Sequence, residues 1–328
     1  RFASQCDAVY REGLHMIITE AVEPRERITM QTGPANPFAP HAGLQIWMGN
    51  EIVPVEQAKI SVFDHALLYG DGIFEGIRIY NGKIFKEREH LRRLAESAKA
   101  LRLELPLALD DISDAMYATM RANRISGDGY IRLLVTRGVG LLGISTTHTA
   151  CPTLIIIADK IALYPPEVYE RGLRCIISSY VRNHPNSTPP RVKSLNYLNN
   201  VMAKMEAKDA GADEAIMLNL EGHIAECTGD NIFVVRDEKV FTPPTCEGSL
   251  EGVTREVVME LATSRGLKVS EKVLVRHDLY TCDECFATGT AAEVVAITEV
   301  NKRLIGNGKP GKITMQLTAD FIAYRNSL

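Results

Sequence analysis

The sequence predicts an α/β (α+β) protein of two domains, and three observations predict it. The chain has 328 residues, enough for two hydrophobic cores. Short strand-like runs bounded by Gly, Asn and Pro recur among segments with helical periodicity. A stretch at 163–172, stiffened by Pro165-Pro166, separates a smaller first part from a longer second part. The division expected is an N-terminal extension and proline-containing linker over 1–43, a small α/β domain over 44–162, a connection over 163–172, and a larger domain of mixed strands and helices over 173–328.

In chain order, residues 1–43 have mixed charge and no uninterrupted apolar core of signal-peptide type. Residues 6–22 are a weak helix candidate, and Pro34, Pro37 and Pro40 mark a linker. A chain beginning at Arg1 is read as a fragment or a processed product. The run I-W-M-G-N-E-I-V-P-V is a hairpin turning at Gly49-Asn50, and residues 76–85 are a second hairpin turning at Asn81-Gly82. Leu91, Leu94, Ala98 and Leu101 recur at helical spacing over 87–101. Strands follow at 130–137 and 153–158, the second apolar enough to be buried on both faces.

Beyond the connection, Pro189 and Pro190 keep the chain extended up to Lys193. A helix is then expected, with Leu195, Leu198, Met202 and Met205 on its buried face and Gly211 as its stop. Residues 212–235 read as two strands joined at Asn219 to Gly222, with Glu226 at the end of the second. Residues 249–262 open a further helix, and 286–297 place small and hydroxyl residues at a turn.

Composition narrows the function. With 45% hydrophobic and 24% charged residues the chain is an ordinary globular one. A net charge of -4 and a pI near 6.1 argue against nucleic acid or an anionic membrane as the main partner. No apolar run approaches the ~20 residues of a membrane span. Seven scattered cysteines predict reduced thiols and a cytoplasmic protein, an organelle being open to a processed chain. Cys282 and Cys285 have the spacing of a redox pair or half a zinc site, but no second pair or histidine doublet completes four ligands, so no metal is expected.

A lysine where an extended segment becomes a helix is within reach of a ligand. The residues alone leave Lys193 open between a solvated charge and a catalytic amine in a desolvated pocket. Leu250 to Thr254 lead into a helix whose first N–H groups lack intrahelical partners, a physical reason for an anion to bind there.

The blocks K-S-L-N-Y-L-N-N (193–200), G-D-N-I-F (229–233), E-G-V-T-R (251–255) and T-G-T-A-A-E-V (288–294) stand in order. With D-H-A-L-L-Y-G-D-G-I-F-E-G-I-R (64–78), they resemble the fold-type IV pyridoxal-phosphate enzymes, and among them the branched-chain amino acid aminotransferases. The resemblance runs from Ile46 to about Phe321. It implies transfer of the amino group of leucine, isoleucine or valine to 2-oxoglutarate, with pyridoxal 5′-phosphate as cofactor and a homodimer or larger homo-oligomer as the assembly. Lys193 is then the Schiff-base lysine and proton shuttle, Glu226 the partner of the pyridine nitrogen, and Tyr197 the phenol on the ring oxygen. Arg93, Leu250, Val253, Thr254 and Thr290 belong to the cofactor and its phosphate.

The same resemblance gives the substrate carboxylate to the Thr290 and Ala291 backbone, Tyr130 and Arg132. It lines an apolar pocket with Tyr69, Phe74, Leu142 and Ile144, some of them from a second subunit. A D-amino acid aminotransferase, an aminodeoxychorismate lyase and an inactive cofactor-binding paralogue are the alternatives. The first typically has an Arg-x-His where this chain has Leu142 and Ile144. Two positions depart from close relatives: Leu141 stands where many have aspartate, and Cys227 replaces a glycine after Glu226, where it is expected to crowd the cofactor ring.

Overall fold

A computed structural model describes residues 41–161 and 163–327; the readings made for 1–40 lie outside them. Strands β1 (Gln45–Met48), β2 (Glu51–Pro54), β3 (Gly72–Tyr80), β4 (Lys83–Ile84), β5 (Gly129–Thr136) and β6 (Thr153–Asp159) form one sheet in the order β2-β1-β6-β5-β3-β4. Its pairings are antiparallel throughout. Both predicted hairpins are present. Asn81 and Gly82 have φ of 52° and 74°, the left-handed pair that a two-residue turn requires to follow the strand twist.

The helices Glu87–Ala100 and Leu109–Ala122 pack Leu91, Leu94 and Ala98, and Ile112, Met116 and Met120, against Ile77, Ile131, Leu133 and Ile156 of this sheet. Side chains alternate along a strand, so β3 and β5 turn Ile73, Ile77, Ile131 and Leu133 into that core. Phe74, Gly76, Tyr130 and Arg132 are left for the other face. The expectation for β6 is corrected on the same ground: Leu154, Ile156 and Ala158 are buried, but Ile155 and Ile157 are only half-buried, because no helix among the described residues packs on that face of the sheet.

The second sheet contains β7 (Leu173–Ile177), β8 (Glu214–Leu218), β9 (Ile224–Cys227), β10 (Asn231–Arg236), β11 (Lys239–Thr242), β12 (Lys268–Glu271), β13 (Glu284–Gly289), β14 (Glu293–Val300) and β15 (Arg303–Leu304). Its order is β12-β11-β10-β13-β14-β7-β8-β9, with β15 on β14. It is a mixed sheet: β7 pairs parallel with β8 and β14, and β11 with β12, while the other pairs are antiparallel. Residues 212–235 thus make three strands rather than two. After Cys227 the chain breaks at Thr228–Asp230, and β10 leaves β9 to pair with β11 and β13.

The helix Leu198–Asp209 also differs from expectation. It buries Asn200, Ala203 and Ala207, while Leu198 and Met205 are exposed and Leu195 precedes it. Small residues allow the helix to approach β8, where Ala203 and Ala207 meet Ala215 and Met217. Gly211 follows the helix with φ +69°, as its predicted stop.

Cys175, Cys227, Cys246, Cys282 and Cys285 are free thiols, whereas Cys151 is disulfide-bonded, against the expectation of uniformly reduced cysteines. Burial pushes the Cys282 thiol up to about 12 and Cys285 well above its ordinary value, so neither supplies a thiolate for redox exchange. No helix among the described residues is long and apolar enough to cross a membrane.

Candidate active site

A cavity of about 540 Å³ lies between the two sheets, within the ~300–1,000 Å³ of small-molecule sites. Phe74, Gly76, Tyr130 and Arg132 form one wall, and Glu226, Leu250, Val253, Thr254, Thr290 and Ala291 line the opposite side. Arg93, Lys193 and Tyr197 complete it.

Lys193 is held there by backbone rather than by a helix. Phe74 N–H donates to the Lys193 carbonyl at 2.9 Å, Leu195 N–H donates to Gly72 O at 2.9 Å, and Ser194 bridges Ile73. The segment therefore runs as an added strand against the start of β3. Gly72 permits this contact, since a Cβ there would lie 2.6 Å from Leu195 Cδ1. The Lys193 Nζ donates to Tyr197 Oη at 3.2 Å and lies 4.5 Å from the Phe74 ring centroid.

Glu226 is 5% exposed and lines the cavity, its orientation fixed by neighbouring donors. Arg182 Nε donates to Oε1 at 2.9 Å, with Arg182 Nη2 at 2.8 Å. On the other oxygen, Leu250 N–H donates at 3.0 Å and Asn231 Nδ2 at 3.2 Å. Arg182 Nη1 also donates to Asn200 Oδ1 at 3.1 Å. Asn200 and Asn231 stand in two of the sequence blocks; Arg182 stands in none, and no sequence signal marks it. Cys227 does not crowd the cavity, because its side chain alternates to the opposite face of β9 and joins the core beneath.

The helix Val253–Ser264 begins at the cavity with no side-chain cap, its N-cap being Gly252. A Cβ on Gly252 would meet Asn231 Oδ1 at 1.9 Å. Arg93 Nε and Nη2 donate to Glu75 Oε1 and Oε2, each at 2.7 Å, and Nη1 donates to the Glu251 carbonyl at 2.7 Å. Three of five N–H groups are used and two remain. His90 Nδ1 lies 2.8 Å from Glu75 Oε2. Burial opposes the charge on Glu75, yet Arg93, assisted by His90, holds its carboxyl far below the usual range. Burial holds the His90 imidazole below its ordinary value. The Thr288 hydroxyl is buried in the cavity wall without a partner among the described residues. Uncapped N–H groups, two spare arginine donors and a lone hydroxyl fit a phosphate group.

At the other end, Arg132 lies 4.8 Å from the Phe74 ring centroid and 5.5 Å from that of Tyr130. Burial raises the Tyr130 phenol, which presses on Gly76 so closely that a Cβ there would lie 2.1 Å from its oxygen. Tyr69, Leu142 and Ile144 are not brought into this cavity. They are 37%, 75% and 86% exposed, in segments beyond the sheet, where Gly143 N–H donates to Tyr69 Oη at 2.7 Å. Leu141 is exposed in the same loop, its carbonyl 3.0 Å from His65 Nε2.

Sequence reasoning missed an acidic wall. Glu214 pairs with Lys204 and accepts from the Thr228 hydroxyl. Asp230 lines the cavity buried, and burial, followed by Glu214, raises its carboxyl to about 7. An unfolded aspartate titrates near ~3.9, so the folded chain holds a proton between these values that the unfolded chain has released, and its stability falls as pH rises through that window. Asp230→Asn abolishes this dependence. Its melting temperature relative to wild type is expected to climb between pH 5 and pH 8, and a flat difference would dismiss the raised carboxyl.

A family model described as amino-transferase class IV matches residues 72–300. A Methanocaldococcus jannaschii protein, named "Putative branched-chain-amino-acid aminotransferase", is 46% identical over 278 residues, 85% of this chain and 95% of that one. The branched-chain-amino-acid aminotransferase of Escherichia coli K12 is 36% identical over 282 residues, 84% of this chain and 91% of that one. Among solved structures, the T.th. branched-chain amino acid aminotransferase with pyridoxamine 5′-phosphate superposes with a TM-score of 0.83 at 37% identity, covering 87% of this chain and 95% of that one.

Proposed function

The chain belongs to the amino-transferase class IV family, and on that premise we propose that it moves the amino group of L-leucine, L-isoleucine and L-valine onto 2-oxoglutarate. The observation that carries this reading is the placement of the Lys193 amine beside the Tyr197 phenol, in one cavity with the arginine-held carboxylate of Glu226. Pyridoxal 5′-phosphate, the cofactor, supplies when bound an aldehyde for the amino group and a ring that draws electron density from the substrate's α-carbon.

This chain's residues do the rest. The start of the helix Val253–Ser264, with Arg93, Thr288 and Thr290, holds the phosphate, while Glu226, fixed by Arg182 and Asn231, is the carboxylate for the pyridine nitrogen. Tyr197 orients the Lys193 amine, which moves the proton at the α-carbon. Arg132 and the Thr290–Ala291 backbone take the substrate carboxylate, and Phe74 meets its aliphatic side chain. The reading places the substrate-facing wall in the small domain, 44–162, and the cofactor's anchors mainly in the larger one, 173–328, joined by 163–172. Relatives named for branched-chain donors disfavour the D-amino acid and lyase alternatives.

Exposed apolar residues at Val62, Phe63, Leu67, Leu142 and Ile144 support a homodimer in which this patch is covered by a second copy. The test is a stopped-flow panel of L-leucine, L-valine, L-alanine, D-alanine and D-glutamate against the cofactor-loaded protein, with its mass read by sedimentation. L-leucine is expected to react fastest. L-valine, one methylene smaller, falls behind by about 10–200-fold at most. A D-isomer faster than L-leucine overturns the donor assignment; an active monomer overturns the dimer.

A further inference from the structure

Glu293 begins β14 directly after the Thr290–Ala292 loop, in a backbone conformation with φ +60°. The pair Gly289 and Glu293 closes that loop, and a left-handed position closing a three-residue hairpin ordinarily takes glycine. The other non-glycine residues with positive φ, among those described, sit in turns and at helix ends away from the cavity. Glu293 alone adjoins the wall that carries Thr290 and Ala291.

Its side chain accounts for the exception. One oxygen, Oε1, accepts from Tyr80 Oη at 2.7 Å, from Arg78 Nη2 at 3.1 Å and from Arg325 Nη1. Arg78 and Tyr80 belong to β3, and Arg325 to the helix Lys312–Asn326. Along β3, alternation puts Phe74, Gly76, Arg78 and Tyr80 on one face. The strand that presents Phe74 to the cavity, and whose first residues hold Lys193, is therefore the strand that grips Glu293. Donors from two other elements converging on one carboxylate oxygen sustain a strained backbone beside a binding loop, the setting in which such strain is kept.

We propose that Glu293 is a positioning residue that sets the separation between the Lys193–Phe74 wall and the Thr290–Ala291 loop, and so the fit of the substrate carboxylate between them. The inference rests on the reading above, in which that loop takes the carboxylate. Of the phosphate's holders only Thr290 lies in that loop; Arg93, Thr288 and the start of the helix Val253–Ser264 lie outside it. A merely structural Glu293 would weaken cofactor and all donors together.

The test compares Glu293→Ala, Glu293→Gln and Arg325→Met. Glutamine keeps a carbonyl oxygen where all three donors converge but loses the counter-charge of Arg78 and Arg325, so Glu293→Gln is expected to retain more of the L-leucine constant than Glu293→Ala, within about fivefold of wild type. In Glu293→Ala the half-reaction constant for L-leucine should weaken by about tenfold or more. That for 3-methylbutylamine, leucine without its carboxylate, should change by less than about threefold, and so should pyridoxal phosphate affinity measured by fluorescence, because Arg93, Thr288 and the helix start keep the phosphate when Thr290 shifts. Arg325→Met, which keeps the packed helix and loses one donor, should fall between. Hydrogen exchange of the amides at 289–293 should quicken in Glu293→Ala and stay slow in Glu293→Gln. Unchanged exchange in Glu293→Ala, or an equal loss for the donor with and without a carboxylate, overturns the proposal. If no donor reacts with wild type, the transaminase reading fails by itself and the exchange arm still decides the positioning role.

Discussion

Lys193→Ala is expected to lower turnover by about 10⁴-fold or more, because in the proposed function it removes both the covalent anchor and the proton-transferring amine. The fold should survive. The Lys193 backbone, not its side chain, makes the bonds to Phe74 and Ser97, and an alanine keeps them. Cofactor binding should persist at reduced affinity, since Arg93, the uncapped helix and Thr288 are untouched. Borohydride treatment of the loaded wild type followed by peptide mapping should place the cofactor on Lys193, and the variant should yield no adduct. An adduct on Lys204, the other lysine lining the cavity, would remove the assignment.

Glu226→Gln is expected to cost about 10²–10³-fold in turnover, the scale of losing one preorganised electrostatic contact. It should also destabilise the fold by about 3–5 kcal/mol, because Arg182 is left as a buried guanidinium without its counter-charge. A glutamine amide worsens the fit at Oε2, where Leu250 N–H and Asn231 Nδ2 both donate and would meet another donor. Adding Arg182→Met separates the two effects. The double variant should regain much of the melting temperature and none of the activity. Recovery of both would mean that Glu226 matters only as the partner of Arg182.

Much of this was legible before any coordinates. Turn chemistry at Gly49-Asn50 and Asn81-Gly82 fixed two hairpins, because two-residue turns of the required twist admit few residues. Periodicity found the helix Glu87–Ala100 and its buried leucines. It failed on the helix Leu198–Asp209, where spacing selected the larger side chains and β8 instead accepted the alanines. Hydropathy alone does not report how closely two backbones approach. The break that makes β9 and β10 separate strands was hidden for a related reason: both are apolar, and only their choice of neighbour divides them.

By itself the sequence determined which chemical groups are present and their order: the lysine, the carboxylate, the two arginines Arg93 and Arg132, and the uncapped start of a helix. Tertiary structure decided which of them meet. It brought Arg182 to Glu226 from 44 residues away and Glu75 to Arg93 from 18, and it clipped Lys193 to β3. It also left Tyr69, Leu142 and Ile144 outside the cavity of a single chain. The physical reason is that a buried ion pair or a strand-to-strand contact is selected by three-dimensional proximity and desolvation, and neither leaves a periodic trace along the chain.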